Sequence, residues 1–191
     1  LSKLITDILE NNYIPDEKIL LNKFKAHCIG ITGAPGVGKS SLINNLVNKS
    51  VSSETKIGIL LFDPTSRKSG GSFLGDRLRM QQLSKLNNIF IRSIAVKDNY
   101  GGVIKELNYI IKLFEWFNYN TIIIETVGVG QNETSIYDYA DTVLVVKNIE
   151  DGDEIQILKA GLIEVGDIFV INKSDISGTI EYANKFTDTL K

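Results

Sequence analysis

The spacing of apolar positions changes near residue 28. Before it, Leu1, Leu4, Ile5, Ile8 and Leu9 recur at the three-to-four-residue interval of a helix face, and Pro15 followed by Asp16 and Glu17 has the form of a second helix start. Residues 1–24 therefore read as an N-terminal helical extension. From Cys28 onward, short apolar runs of β type alternate with helical stretches, the pattern of βαβ units around a buried parallel sheet. The runs predict strands at 28–32, 56–62, 89–92, 121–125, 142–146 and 168–172. Most are too apolar for a sheet with one face in water, so helices are expected on both faces. Leu42, Ile43, Leu46 and Val47 supply one covering stripe, and Val103, Leu107, Ile110, Ile111, Phe114 and Phe117 a longer one. No repeat, low-complexity tract or proline-rich linker interrupts residues 25–191, which predicts one α/β domain with a mainly parallel sheet.

Composition narrows the partners. An apolar content of 43% with 23% charged residues suits a folded globular domain, and a net charge of −2 gives no general reason to bind nucleic acid or an anionic membrane. No run reaches the roughly 18 to 20 apolar residues that span a bilayer, and no basic segment with an apolar signal core opens the chain. Cys28 is the only cysteine, so no intramolecular disulfide is possible, and a reducing cytoplasm is the expected location. The only histidine, His27, lacks ligand partners at metal-site spacing and reads as structural, as does Trp116 on the long helix.

The chemistry begins between the first strand and the first covering helix. Gly33-Ala34-Pro35-Gly36-Val37-Gly38-Lys39-Ser40 matches the phosphate-loop pattern G-x-x-x-x-G-K-[ST] in the strand-then-helix context that this chemistry requires. Glycines let the backbone curl so that its N–H groups point at phosphate oxygens. Lys39 adds a point charge near the outer phosphates, the helix N-terminus adds its dipole, and Ser40 is placed to ligate Mg²⁺. Ser41, next in the helix, joins these residues as a candidate nucleotide contact. The glycine spacing differs from the G-x-G-x-x-G of dinucleotide-binding loops.

Two later strand ends select the base and the cation. The last apolar run leads into Asn172-Lys173-Ser174-Asp175, the N-K-x-D form of a guanine-specificity motif. The Asp175 carboxylate can accept from both the ring N–H and the exocyclic amine of guanine, a pair that adenine does not present, so ATP would leave it poorly satisfied. Ile122-Ile123-Ile124-Glu125-Thr126-Val127-Gly128 ends a buried strand in an acid, followed by a glycine whose N–H can approach a γ-phosphate. It has the form of the D-x-x-G element with Glu for Asp, and Glu125 there can hold Mg²⁺ through a coordinated water. Residues 63–72 open at another strand end and are rich in turn formers, which predicts a loop over the phosphates. Within and beyond it, Asp63 and Asp76 are candidates for the metal or the attacking water, and Arg67 and Lys68 for phosphate charge.

Together with Asp63-Pro64-Thr65-Ser66, the block from Gly70 to Met80 and the run from Glu125 to Gln131, these motifs closely resemble the MeaB/ArgK family of P-loop GTPases across residues 28–175. The resemblance implies a P-loop NTPase fold and a GTPase that acts as chaperone of an adenosylcobalamin-dependent acyl-CoA mutase, notably methylmalonyl-CoA mutase. Older descriptions of that family speak of a transport-system kinase. Residues 152–159 are similar to the family's partner-sensing switch, which implies working roles for Asp153, Gln156 and Lys159. The family's Pro-Gly-rich lead into that switch is replaced here by Asn148-Ile149-Glu150-Asp151. Family members also continue past residue 191 with a further base-contacting loop and a helical dimerisation arm, so the chain is expected to be truncated at its C-terminus and the full-length protein to be a homodimer.

The expected chemistry is hydrolysis of GTP to GDP and phosphate by electrostatic positioning, with Lys39, Asp63, Asp76 and Glu125 as catalytic residues. Two other classes compete with it: an ATP-dependent transport-system kinase, against which residues 172–175 argue, and a nucleotide-gated binding module with negligible hydrolysis.

Overall fold

A computed structural model describes residues 1–52, 54–64, 80, 83–96, 100–126, 138–151 and 162–190. Its strands are β1 (His27–Thr32), β2 (Ile57–Pro64), β3 (Ile89–Val96), β4 (Thr121–Glu125), β5 (Thr142–Lys147) and β6 (Ile168–Ile171). Every predicted run becomes a strand, with ends moved by a few residues. β2 and β3 run on to Pro64 and Val96 because they pair with each other along their whole length. Six strands form one sheet in the order β3-β2-β4-β1-β5-β6, and each neighbouring pair is parallel. Parallel pairing needs a crossover for each connection, which places helices on the faces.

The helices among the described residues are α1 (Ser2–Asn11), α2 (Glu17–Leu20), α3 (Lys39–Ser50), α4 (Tyr100–Trp116), α5 (Leu162–Val165) and α6 (Thr179–Thr189), of which α3, α4 and α5 lie between strands. Alternation along the strands divides the core. Ile122, Ile124, Leu60 and Phe62 pack with Ile5 and Ile8 of α1 and Leu107, Ile110 and Phe114 of α4. Ile123, Ile59 and Leu61 point the other way and meet Ile43 and Val47 of α3. A smaller cluster joins Val143 and Val145 of β5 to Phe186 of α6. The N-terminal helix thus shares a hydrophobic cluster with the sheet.

The long helix buries more than one stripe. Leu113, outside the predicted face, is fully buried, because α4 packs against α1 and α2 as well as against the sheet. Phe117, inside that face by spacing, falls just beyond the helix end and is partly exposed. Phe114 approaches the sheet so closely that a Cβ on Gly58 of β2 would sit 2.5 Å from its ring.

Polar residues placed one position before an apolar run align the strands. Asn120 Oδ1 accepts from Lys56 N at 2.9 Å, Asp141 Oδ2 from Cys28 N at 2.8 Å, and Asp167 Oδ2 from Val143 N at 2.8 Å. Each satisfies a donor at the start of the neighbouring strand and so sets register at the amino end of the sheet. His27 sits at this end, its Nε2 3.1 Å from Thr142 Oγ1. Cys28 is buried here, and burial reinforced by the charge of Asp141 pushes its thiol up to about 12. Trp116 is partly exposed near the same end. Among the described residues no helix is long and apolar enough to cross a membrane.

Candidate nucleotide site

The carboxyl ends of the strands face the opposite way, where open parallel sheets bind ligands. β1 ends at Thr32 and the chain turns sharply through Gly33, which abuts the neighbouring strand: a Cβ there would lie 2.1 Å from the Val146 carbonyl oxygen. Gly33 and Gly38 have φ of 144° and 96°, conformations that a side chain resists. A Cβ on Gly38 would also strike the Asn172 amide nitrogen at 2.3 Å. The loop therefore requires glycine at both places for independent steric reasons.

Gly38 is the N-cap of α3 and provides no side-chain cap, so the first-turn N–H groups of a twelve-residue helix remain available to an anion. Lys39 opens that helix with only 6% of its surface exposed. Its ammonium folds over the loop and donates to the Gly33 and Ala34 carbonyls at 2.8 and 3.1 Å. A positive charge is thus held inside the curl of the loop by backbone dipoles. Val37 is buried in the core beneath, which anchors the turn.

β4 lies beside β1 in the register Ile31 to Glu125, and Thr126 N continues the pairing onto Ile31 O at 3.0 Å. This alignment delivers Glu125 to the start of α3, where Ser40 Oγ donates to its Oε1 at 3.1 Å. Both residues are buried. Two hard oxygen donors beside a phosphate loop suit a cation that takes few protein ligands and keeps several waters. Among the described residues no group of three or more His, Cys, Asp or Glu side chains gathers as a metal site. Among the described residues, Ser40 and Glu125 are thus a pair of oxygen donors that would fit Mg²⁺.

The third wall follows β6. Asn172 N bonds to Lys147 O at 2.7 Å, extending the β5–β6 pairing by one step, and Asn172 Nδ2 donates to Val37 O at 2.8 Å. Lys173 then adopts a left-handed conformation with φ 56°. Thr179 Oγ1 donates to the carbonyls of Ile176 and Lys173 at 2.7 and 3.3 Å, which closes the loop onto the start of α6. Lys173 Nζ reaches Glu150 Oε2 at 2.6 Å.

These three walls enclose one cleft of about 510 Å³. Pro35, Gly36, Gly38, Lys39, Ser40 and Ser41 line it on one side, Asn172, Lys173 and Asp175 on the other, with Glu125 between them. Gly33, Ala34 and Val37 stand behind the surface and hold it in shape. Asp63 is the next-to-last residue of β2, and only its backbone is described. Asp76, Gly128, Asp153, Gln156 and Lys159 lie outside the described residues, as do Arg67, Lys68 and Gln131. Two contributors escaped the sequence reading. The Val146 carbonyl and Glu150 act across chain separations that no local motif encodes.

Comparison with known proteins gives the family. Residues 15–191 match the model of the family described as Methylmalonyl Co-A mutase-associated GTPase MeaB. The chain belongs to the MeaB family. A relative from Pyrococcus horikoshii is 43% identical over 182 residues, covering 93% of this chain and 57% of its own length. A Mycobacterium tuberculosis relative bearing the name Probable GTPase Rv1496 is 38% identical over 83% of this chain and 47% of its own. The Caenorhabditis elegans protein named methylmalonic aciduria type A homolog, mitochondrial, is 42% identical over 77% of this chain and 37% of its own. The chain spans about half the length of the first of these curated relatives. Among solved structures, an LAO/AO transport system kinase superposes with a TM-score of 0.63 at 23% identity, over 91% of this chain and 49% of that one. HypB from Helicobacter pylori, in complex with nickel, does so with 0.55 at 14% identity over 100% and 80%. At such identities the two structures show the P-loop fold alone.

Proposed function

We propose that this MeaB-family chain binds GTP and GDP with Mg²⁺ in the cleft, hydrolyses GTP to GDP and phosphate, and in its full-length form is the chaperone of an adenosylcobalamin-dependent acyl-CoA mutase such as methylmalonyl-CoA mutase. The observation that carries the reading is the convergence of residues 33–41, Glu125 and residues 172–175 on one cleft. Three segments far apart in the chain have no packing reason to gather their polar side chains around a shared opening.

The residues divide the work. Lys39 and the first-turn N–H groups of α3 stabilise charge on the outer phosphates, and Asp175 reads the base by accepting its N–H donors. Ser40 and Glu125 hold Mg²⁺, and Asp63 and Asp76 serve the metal or the attacking water. When held there, Mg²⁺ would supply positive charge against the phosphates. Gly128 offers its N–H to the γ-phosphate, and Asp153, Gln156 and Lys159 relay the partner's presence. The family description and the name of the worm relative support the mutase as that partner. A homodimer in a reducing cytoplasm completes the proposal.

Displacement of fluorescent GDP by GTP and by ATP tests the ligand, and phosphate release from GTP with and without an acyl-CoA mutase tests the role. GTP is expected to displace GDP where ATP does not, and the mutase to accelerate release. Equal displacement by ATP would overturn the guanine assignment in favour of the kinase reading. Release that no acyl-CoA mutase accelerates would overturn the chaperone assignment.

A further inference from the structure

The base-side wall carries two opposite charges two residues apart, Lys173 and Asp175, both lining the cleft. A lysine has a long flexible stem and a strongly hydrated point charge, so a neighbouring carboxylate is its natural counter-ion. That pairing would occupy the acceptors by which Asp175 reads a guanine base. The structure pairs the lysine elsewhere. Lys173 Nζ lies 2.6 Å from Glu150 Oε2, on the turn Ile149–Asp151 that follows β5. Among the described residues the Asp175 side chain makes no hydrogen bond or ion pair.

The Glu150 turn is itself held in place. Ile149 packs toward the start of α6, where a Cβ on Gly178 would lie 3.2 Å from its Cδ1, and the strand before it receives the Asn172 N–H on Lys147 O at 2.7 Å. The left-handed backbone at Lys173, φ 56°, is fixed from behind by the Thr179 hydroxyl on its carbonyl. Glu150 and Lys173 thus project from two braced segments toward each other, 23 residues apart in the chain.

We propose that Glu150 is a specificity-determining positioning residue: by holding the Lys173 ammonium it keeps the Asp175 carboxylate open to the N–H donors of a guanine base. The inference rests on the guanine-nucleotide reading of the cleft. Glu150 touches no nucleotide in this scheme and acts through Lys173 on Asp175. The pair is partly solvated, with 35% of the Lys173 side chain and 59% of the Glu150 side chain exposed, so its effect is modest and sensitive to salt.

A fluorescence titration of the full chain with GDP tests this, using Glu150→Gln, Glu150→Asp, Asp175→Ala and the double variant Glu150→Gln with Asp175→Ala. At low ionic strength E150Q is expected to weaken GDP about threefold, and near 1 M salt the gap to wild type should close. E150D should recover part of the loss, while inhibition by inorganic pyrophosphate and the melting temperature stay at the wild-type value. In the Asp175→Ala background, E150Q should have no further effect on GDP, because the group it protects is gone. Unchanged GDP affinity in E150Q at low salt overturns the proposal, as does an equal loss with or without Asp175. A wild-type chain that binds ADP as tightly as GDP instead overturns the guanine reading, and the proposal with it. Selective GDP binding by wild type with no effect of E150Q leaves that reading intact and removes Glu150 alone.

Discussion

The two sides of the cleft are built by different means. On the phosphate side, Lys39, Ser40 and Glu125 are buried, and the loop is shaped by backbone sterics against Val146 and Asn172. On the base side, Asp175 is exposed, and Lys173 is steered by a partly solvated ion pair. One side is a rigid, low-dielectric cradle for charge; the other is a wet rim with a few directed side chains. The contrast teaches that phosphate should supply most of the affinity, and the base a smaller, more tunable share.

Removing the buried charge is the most severe way to break this picture. Lys39→Ala is expected to weaken GDP about a hundredfold or more, since it deletes a charge-assisted contact in a dry site. Calorimetric titration checks it, and a loss below threefold would place the nucleotide elsewhere. A substitution on neither side sharpens the contrast next. Gly58→Ala pushes a methyl into the Phe114 ring and should cost about 2 kcal/mol of stability in urea unfolding, with GDP affinity of the folded protein unaltered. Weaker GDP binding in that variant would mean that strain at the α4 face reaches the cleft.

Asp175→Ala comes third, with about a tenfold loss for GDP and none for pyrophosphate, the mark of a rim contact that reads only the base. Should Asp175→Ala cost as much as Lys39→Ala, the two sides are equal partners and the contrast fails. The smallest effect lies at the amino end of the sheet. The folded pKa of Cys28, about 12, exceeds its ordinary value, so the folded chain keeps a proton that the unfolded chain releases above pH 9. The resulting stability is lost as pH rises from 9 toward 12, by about 1 kcal/mol at pH 10 relative to neutral pH. Urea midpoints of wild type and Cys28→Ala across that range measure it, and parallel curves would mean that the thiol is not shielded. Nucleotide affinity should not follow this titration.

The same division separates what the sequence reveals from what it conceals. The strands were legible because a strand buried on both faces needs an unbroken apolar run, and the run before Gly33 or before Asn172 is visible without any partner. The phosphate loop was legible because its glycines obey local backbone geometry. The extra burial of Leu113 was not, since it depends on α1 and α2 arriving from the N-terminus to pack against α4. Neither was Glu150, whose only signal was a departure from the family's usual Pro-Gly lead. Asn120, Asp141 and Asp167 looked like ordinary turn residues, because the strand that each one bonds is encoded elsewhere in the chain.

The amide of Asn172 that braces the Val37 carbonyl bridges 135 positions of chain. During synthesis the phosphate loop leaves the ribosome long before its brace exists, and the growing chain meets a cellular pool of nucleotide throughout. One wall of the opening is made by Asn172, Lys173 and Asp175, which follow the sixth strand. On the proposed reading, nucleotide would bind only the chain whose third wall is in place, and its binding would stabilise the finished sheet over any form in which β6 is undocked.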